Sequence, residues 1–261
     1  RWPDMWLYLP EGHTKEGEPR IRISPEVLMG RVMDDQGEMI KLDLETENKM
    51  FDTYDNYTDP LLKKYVKIVD LPDNPTGIYK ALIRKMKKEG RLTERKQFEK
   101  SVYVPDNPDK YTIVVIDHLR KLLPERGWTK KQTIDKMAEY EVILRNVFGI
   151  TFVNVIHLNR SFESAERYRM FGDQLFPSSE NIKDTGNLSE ESDYVLTMMN
   201  PNDDKYQLES HFGLKLYDGE GVPKYPNLRT IHLVDSRWTA SPKHFRVCMD
   251  GATKLFKRFK P

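Results

Sequence analysis

Asp117 follows four consecutive branched apolar residues, 113–116, in the stretch TIVVIDHL. A carboxylate directly behind a buried strand is costly unless something compensates it. The carboxyl end of a central strand in an open α/β sheet is also where such folds bind ligands. In nucleotide hydrolases an apolar strand followed by Asp holds Mg2+ beside the phosphates, usually through water. Taken alone, the pattern reads more readily as an aspartate capping the next turn. One helix later, VIHLNR closes a second apolar run on His157, a position where histidine is more often structural. The stretch 159–187 then brings Arg160, Arg167, Arg169 and Lys183, charge suited to phosphate contacts, among Glu163, Glu166, Asp173 and Glu180. Most such runs are solvated loops.

These residues need elements to position them, and the sequence alternates short apolar runs with amphipathic stretches, the layout of an α/β protein with a mainly parallel sheet. MWLYL (5–9) reads as a buried strand, and Ser24 followed by Pro25 opens a helix over 24–33. A second strand is expected at 65–72. A helix follows over 74–90, with Ile78, Leu82, Ile83 and Met86 at helical spacing and Gly90 as its stop. The third strand is 112–117. The helix 129–149 places Ile134, Met137, Glu141 and Leu144 near one side and ends at Gly149. Strands at 150–158, 192–200 and 228–236 follow, then a terminal hairpin over 244–259 turning at Asp250 and Gly251. Three segments read as loops: 12–22, 34–64 and 159–187. The stretch 90–111 has no clear pattern, apart from SVYV as an edge strand before the turn-prone PDNPDKY.

Composition narrows the function classes. Lys and Arg number 42 against 41 acids, so any nucleic-acid binding rests on a local patch rather than on bulk charge. An aromatic content of 11% argues against disorder. The single Cys248 excludes an intrachain disulfide framework and a cysteine-based zinc site, and fits a reducing, intracellular compartment. No apolar run approaches the roughly 18 residues of a spanning helix.

The order of segments carries more than any one of them. IVVIDHL, VIHLNR, PSSENIKDTGNLSEESDYVL (177–196) and VDSRWTASP (234–242) precede the final hairpin in turn. This series resembles the RecA-like motor domain of DnaB-type replicative helicases, within them the phage primase-helicases and their mitochondrial relatives. The resemblance runs over roughly residues 5–259. It implies one RecA-like domain over 1–261: a mainly parallel sheet flanked by helices, with a C-terminal antiparallel hairpin.

The resemblance also implies roles. Asp117 looks like the Walker B acid that holds Mg2+, and His157 matches the polar sensor of the γ-phosphate. Glu11 falls where the family places the glutamate that deprotonates the attacking water, ahead of what looks like an insertion, GHTKEGEPRIR. Arg237 matches the arginine finger delivered into a neighbouring subunit's site. The family's basic residue two positions earlier is Asp235 here, a departure that leaves a second basic contact to the nucleotide in doubt. Arg160, Arg167, Arg169, Lys183 and the backbone at Gly186 lie where the family contacts single-stranded DNA. The implied cofactors are Mg2+ and ATP or another NTP. The implied partners are single-stranded DNA, copies of the same chain in a ring of six, and a primase or other replication proteins.

One part of that family's machinery is not found. None of the 14 glycines is followed by Lys and then Ser or Thr, the ending of a phosphate-cradling loop. In the family this loop lies just upstream of the strand matched by MWLYL, so the expectation is a motor domain truncated ahead of Arg1. Two other readings stand beside a helicase motor: a RecA-like recombination or repair ATPase, and a non-catalytic DNA-binding or scaffold relative.

Overall fold

The computed structural model describes residues 42–69, 73–93, 102–159, 164–182, 186–249 and 255–260. In chain order the helices are α1 (Leu44–Thr53), α2 (Asp59–Tyr65), α3 (Pro75–Lys88), α4 (Lys130–Phe148), α5 (Ala165–Phe171) and α6 (Gly186–Glu191). The strands are β1 (Gly90–Thr93), β2 (Val102–Pro105), β3 (Ile113–Ile116), β4 (Thr151–Asn154) and β5 (Tyr194–Met199). After them come β6 (Ser210–His211), β7 (Leu214–Lys215), β8 (Leu228–Ser236), β9 (Lys243–Met249) and β10 (Phe256–Arg258). The chain divides into two units. One holds 1–69, 225–229 and 246–261; the other holds 70–224 and 230–245.

In the first unit, α1 and α2 are joined by a π-helical turn, Tyr54–Thr58. Asp43 caps α1 by accepting from the Thr46 N–H at 2.9 Å, and Glu45 and Glu47 occupy its first turn. The sequence reading of 34–64 as an irregular acidic loop is therefore corrected over 44–64. Acids at a helix N-terminus complement its dipole, so the same charges that suggested a loop stabilise the helix start. The strand expected at 65–72 is not formed over 65–69 either, and 70–72 lie outside the described residues. Tyr65 ends α2, and 66–69 have no strand pairing, with Ile68 and Val69 exposed. At the other end β9 and β10 pair antiparallel, Met249 opposite Phe256, as the expected hairpin requires.

The second unit is organised around α4. Thr129 and Gln132 close a reciprocal capping box at its start, and Gly149 ends it in the left-handed region at φ 70°. Its buried side carries Ile134, Met137, Glu141 and Leu144, the stripe expected from spacing. Ile134, Met137 and Ala138 pack with Leu119, Leu122 and Leu188, and Ile116 and Phe152 from β3 and β4 close over them. Leu144 packs with Met86 of α3 and with Ile150. Each large apolar side chain withdrawn from water contributes about 1.5–3 kcal/mol. This cluster is what fixes the helix across the strand pair.

β3 and β4 are parallel, Ile113 opposite Thr151 through Ile116 opposite Asn154. α4 is the crossover between them, because parallel neighbours cannot be joined by a short turn. The expectation of a mainly parallel sheet is corrected here: among the described residues β1–β2, β5–β8, β6–β7 and β9–β10 pair antiparallel. Within the stretch 90–111 the β1–β2 pair joins 90–93 to 102–105, with Val102, Tyr103 and Val104 of SVYV in β2 and 94–101 outside the described residues. Gly90 opens β1 rather than stopping α3, whose C-cap is Glu89. A Cβ at Gly90 would meet the Val104 carbonyl oxygen at 2.5 Å, so glycine is needed there for close approach. The expected loop 159–187 is corrected in part as well, since it contains α5 and two short 3-10 turns. The strand at 5–9, the helix at 24–33, the loop 12–22 and the hairpin turn at Asp250 and Gly251 lie outside the described residues.

Candidate functional site at the end of the parallel pair

Alternation along a strand decides which side chains leave the core. On β3, Val114 and Ile116 face the clusters beneath α4, while Ile113 and Val115 are exposed. Asp117 continues the exposed side. On β4 and its extension the same rule exposes Val153, Val155 and His157. Asp117 and His157 therefore lie on the open side, past the carboxyl ends of neighbouring parallel strands.

Backbone hydrogen bonds hold these ends together. The Val155 N–H donates to the Ile116 carbonyl at 3.0 Å, and the Leu119 N–H donates to the Val155 carbonyl at 3.2 Å. Leu119 is fully buried, so the turn bearing Asp117 and His118 is anchored on both sides. The Asp117–His118 peptide bond is cis. His118 was not singled out by sequence, although the Asp-His dipeptide at a strand end is the available signal. Its ring meets that of His157 edge-on, with centroids 4.5 Å apart. Burial, and then the nearby His157, hold the His118 imidazole below its ordinary pKa, so its neutral form is favoured.

Beyond His157 the chain is pinned again. Leu158 bridges to Ile182, and the Asn159 N–H donates to the Asn181 carbonyl at 2.7 Å. Lys183 and Arg160 themselves lie outside the described residues, as does Glu11. Gly186 opens α6. On α5, Arg169 is exposed. Arg167 is half-buried; its guanidinium donates to the Phe176 carbonyl and Ser178 Oγ at 3.2 and 3.3 Å, and lies over the Phe171 ring.

Arg237 stands apart from the Asp117–His157 pair in its contacts. It follows β8, and its guanidinium donates to the Glu190 carbonyl at 2.6 Å, 3.6 Å from the Glu191 carboxylate. Arg145 from α4 reaches the same helix end, donating to the Glu191 carbonyl and to Asp193 Oδ2, both at 3.1 Å. Two guanidiniums thus cap the carbonyl end of α6, the end where a helix favours cations. Among the described residues no group of three or more His, Cys, Asp or Glu side chains is arranged to hold a metal. A single exposed carboxylate suits Mg2+, which keeps several waters and takes one or two carboxylates together with substrate phosphates.

No known protein family matches the chain, and no curated protein matches it. Among solved structures it is similar to a DnaB-like replicative helicase, described together with that helicase's interactions with primase. The two share 13% identity over 74% of this chain and 37% of that one, with a TM-score of 0.51. A second solved structure, an ATPase domain, matches at 15% identity over 72% of this chain and 52% of that one, with a TM-score of 0.49. The chain spans little more than a third of the first helicase's length. At such identity the likeness concerns the fold alone. No helix among the described residues is long and apolar enough to cross a membrane.

Proposed function

We propose that the chain is part of the motor domain of a ring-forming replicative DNA helicase, coupling NTP hydrolysis to movement along single-stranded DNA. The observation that carries this is the meeting of Asp117, His118 and His157 at the carboxyl ends of two parallel strands, on a fold like that of a DnaB-like replicative helicase. Asp117 is the group to hold Mg2+, which would neutralise charge developing on the phosphates of ATP or another NTP. His157, on the adjacent strand, donates to the γ-phosphate. Glu11 is assigned the attacking water. Arg237 serves the site of a neighbouring copy, within a ring of six. Arg160, Arg169, Lys183 and the Gly186 backbone are assigned to the DNA strand, while Arg167, whose guanidinium is engaged by Phe176 and Ser178, positions α5 beside them. A primase is the natural protein partner, given the helicase that this fold resembles.

The phosphate cradle is, in this reading, supplied from outside these 261 residues, since no glycine here precedes Lys-Ser or Lys-Thr. The test compares residues 1–261 with the same chain carrying its upstream sequence. The longer chain should hydrolyse NTP with Mg2+ and lose most turnover on Asp117→Asn; the shorter should not hydrolyse it. Robust turnover by the 261-residue chain would overturn the division of the site. A longer chain that binds DNA but hydrolyses nothing would leave a scaffold reading in its place.

A further inference from the structure

Glu141 is an acid in the wrong surroundings. It sits on the buried side of α4 between Ile134, Met137 and Leu144, at 8% exposure. Its one hydrogen bond among the described residues is from Asn154 Nδ2 to Glu141 Oε2, at 2.7 Å. The other oxygen of each group, Glu141 Oε1 and Asn154 Oδ1, is buried without a hydrogen-bond partner there. Two orphaned acceptors on two groups already joined is a specific defect. An ionised carboxylate offers only acceptors, so whichever way the amide is turned it leaves the Asn154 oxygen without a donor from Glu141. One proton on the carboxyl removes the defect: an O–H bond to the amide oxygen beside the N–H bond to the acid oxygen closes a two-bond ring.

We infer that Glu141 is carried as the neutral acid, paired through two hydrogen bonds with Asn154, and that its ionisation opens this clasp between α4 and β4. Burial pushes the carboxyl up to about 7, outweighing the Asn154 hydrogen bond and the charge of Arg145. The clasp is therefore balanced near neutrality. The elements packed against α4 bring other ionisable groups. α3 brings Tyr79 and a lysine-rich last turn, β2 brings Tyr103, α6 brings Glu190 and Glu191, and the turn Leu119–Lys121 brings Arg120 and Lys121. β4 brings none. Of all these and of α4's own charges, only Arg145 acts on the carboxyl, and Arg145 is already engaged by Asp193.

The position gives the clasp a consequence. Asn154 is the last residue of β4 and lies opposite Ile116, the residue before Asp117. Opening it loosens the strand ends that carry Asp117 and His157, from the core side. This inference stands on the Glu141 and Asn154 contacts and does not require the helicase reading. Because the folded state holds the proton more tightly than the unfolded chain, the stabilising effect is complete below about pH 4.5. It declines as pH rises to about 7, and is level above that.

The test uses residues 1–261 and the variant Glu141→Gln, which keeps a neutral ring with an N–H in place of the O–H. Unfolding constants of the two chains should diverge by about 300-fold between the acid and neutral plateaus, the size set by the shift in acidity. A pH-independent ratio would overturn the proposal. Should Glu141→Gln fail to fold, infrared titration of the unaltered chain decides. At about pH 6, where ordinary carboxyls are ionised, one protonated-carboxyl band must persist and then vanish near neutrality with faster amide exchange along β4. Its absence would show that Glu141 is ionised throughout.

Discussion

Arg237 and Asp193 are joined twice. The Arg237 N–H donates to the Asp193 carbonyl at 3.0 Å, and its guanidinium lies 3.9 Å from the Asp193 carboxylate. That carboxylate is shared with Arg145, and the Arg237 side chain is 41% exposed. Ion pairs this open to water are weak and screened by salt, so a phosphate group can compete for the guanidinium. Arg237→Ala should therefore scarcely change the denaturation midpoint. In a catalytically competent longer chain, it should cut turnover by about 10³–10⁵-fold if it is a finger. The finger hypothesis further expects mixing of Arg237→Ala and Glu11→Gln subunits to restore part of the activity, because one mixed interface then holds every needed group. Failure of all mixtures, with subunit exchange demonstrated separately, would make Arg237 a cis or structural residue.

The arginines of α5 should separate into two kinds. Arg167 ties Phe176 and Ser178 to the helix, so Arg167→Ala should lower stability by about 1–3 kcal/mol in urea unfolding. Arg169 is exposed, so Arg169→Ala should leave stability alone. If the helix faces single-stranded DNA, that substitution should weaken binding and reduce the salt-dependence slope by about 0.7, the value for one phosphate contact. A slope unchanged in a salt titration would move the DNA path off α5.

A second pH effect runs opposite to that of Glu141. His232 is fully buried, stacked on Phe176, with Nδ1 2.7 Å from His244 Nδ1 and Nε2 2.9 Å from Thr230 Oγ1. Burial, followed by the neighbouring His244 and His211, depresses it to about 3. The unfolded chain takes up a proton near its ordinary value while the folded chain refuses it. Stability is thus full above about pH 6.5 and falls as pH drops toward 3, by several kcal/mol on the order of 3–5. His232→Phe keeps the stacking ring and removes the proton site, so its acid limb should be flatter. Superimposable acid limbs in the two chains would sink the assignment.

Periodicity and caps are local, and what they govern was legible in the sequence. β3, α4 and β4 lie where their patterns place them, because Thr129 and Gly149 bound the helix and alternate residues of the strands pack beneath it while Ile113, Val115, Val153 and Val155 face outward. Asp117 and His157 reach the open side for the same reason. The stripe shared by Ile134, Met137, Glu141 and Leu144 likewise announces a buried acid. The helices α1 and α2 and the turn between them were not legible, since their apolar residues are few and Phe51, Tyr54, Tyr57 and Tyr65 are exposed. Nor was the gathering of His211, His232 and His244 around Phe176 and Phe212. Those residues come from separate elements, and their convergence depends on pairing that no short window encodes.

The last prediction concerns His118, whose role is defined only through its neighbour. Its ring packs edge-on against His157 at 4.5 Å, and its Nδ1 is buried without a hydrogen-bond partner among the described residues. If His157 donates to the γ-phosphate, His118 is a positioning residue that fixes the plane from which it does so. In a hydrolysing longer chain, His157→Ala should lower kcat while nucleotide affinity changes little. His118→Ala should lower kcat less. The double variant should resemble His157→Ala alone, because positioning is worthless once the positioned group is gone. Coupling between contacting residues is typically about 0.5–3 kcal/mol in such a cycle, whereas independent sites add. Additive losses in kcat would mean that the two imidazoles act separately, and that the edge-on contact serves only packing.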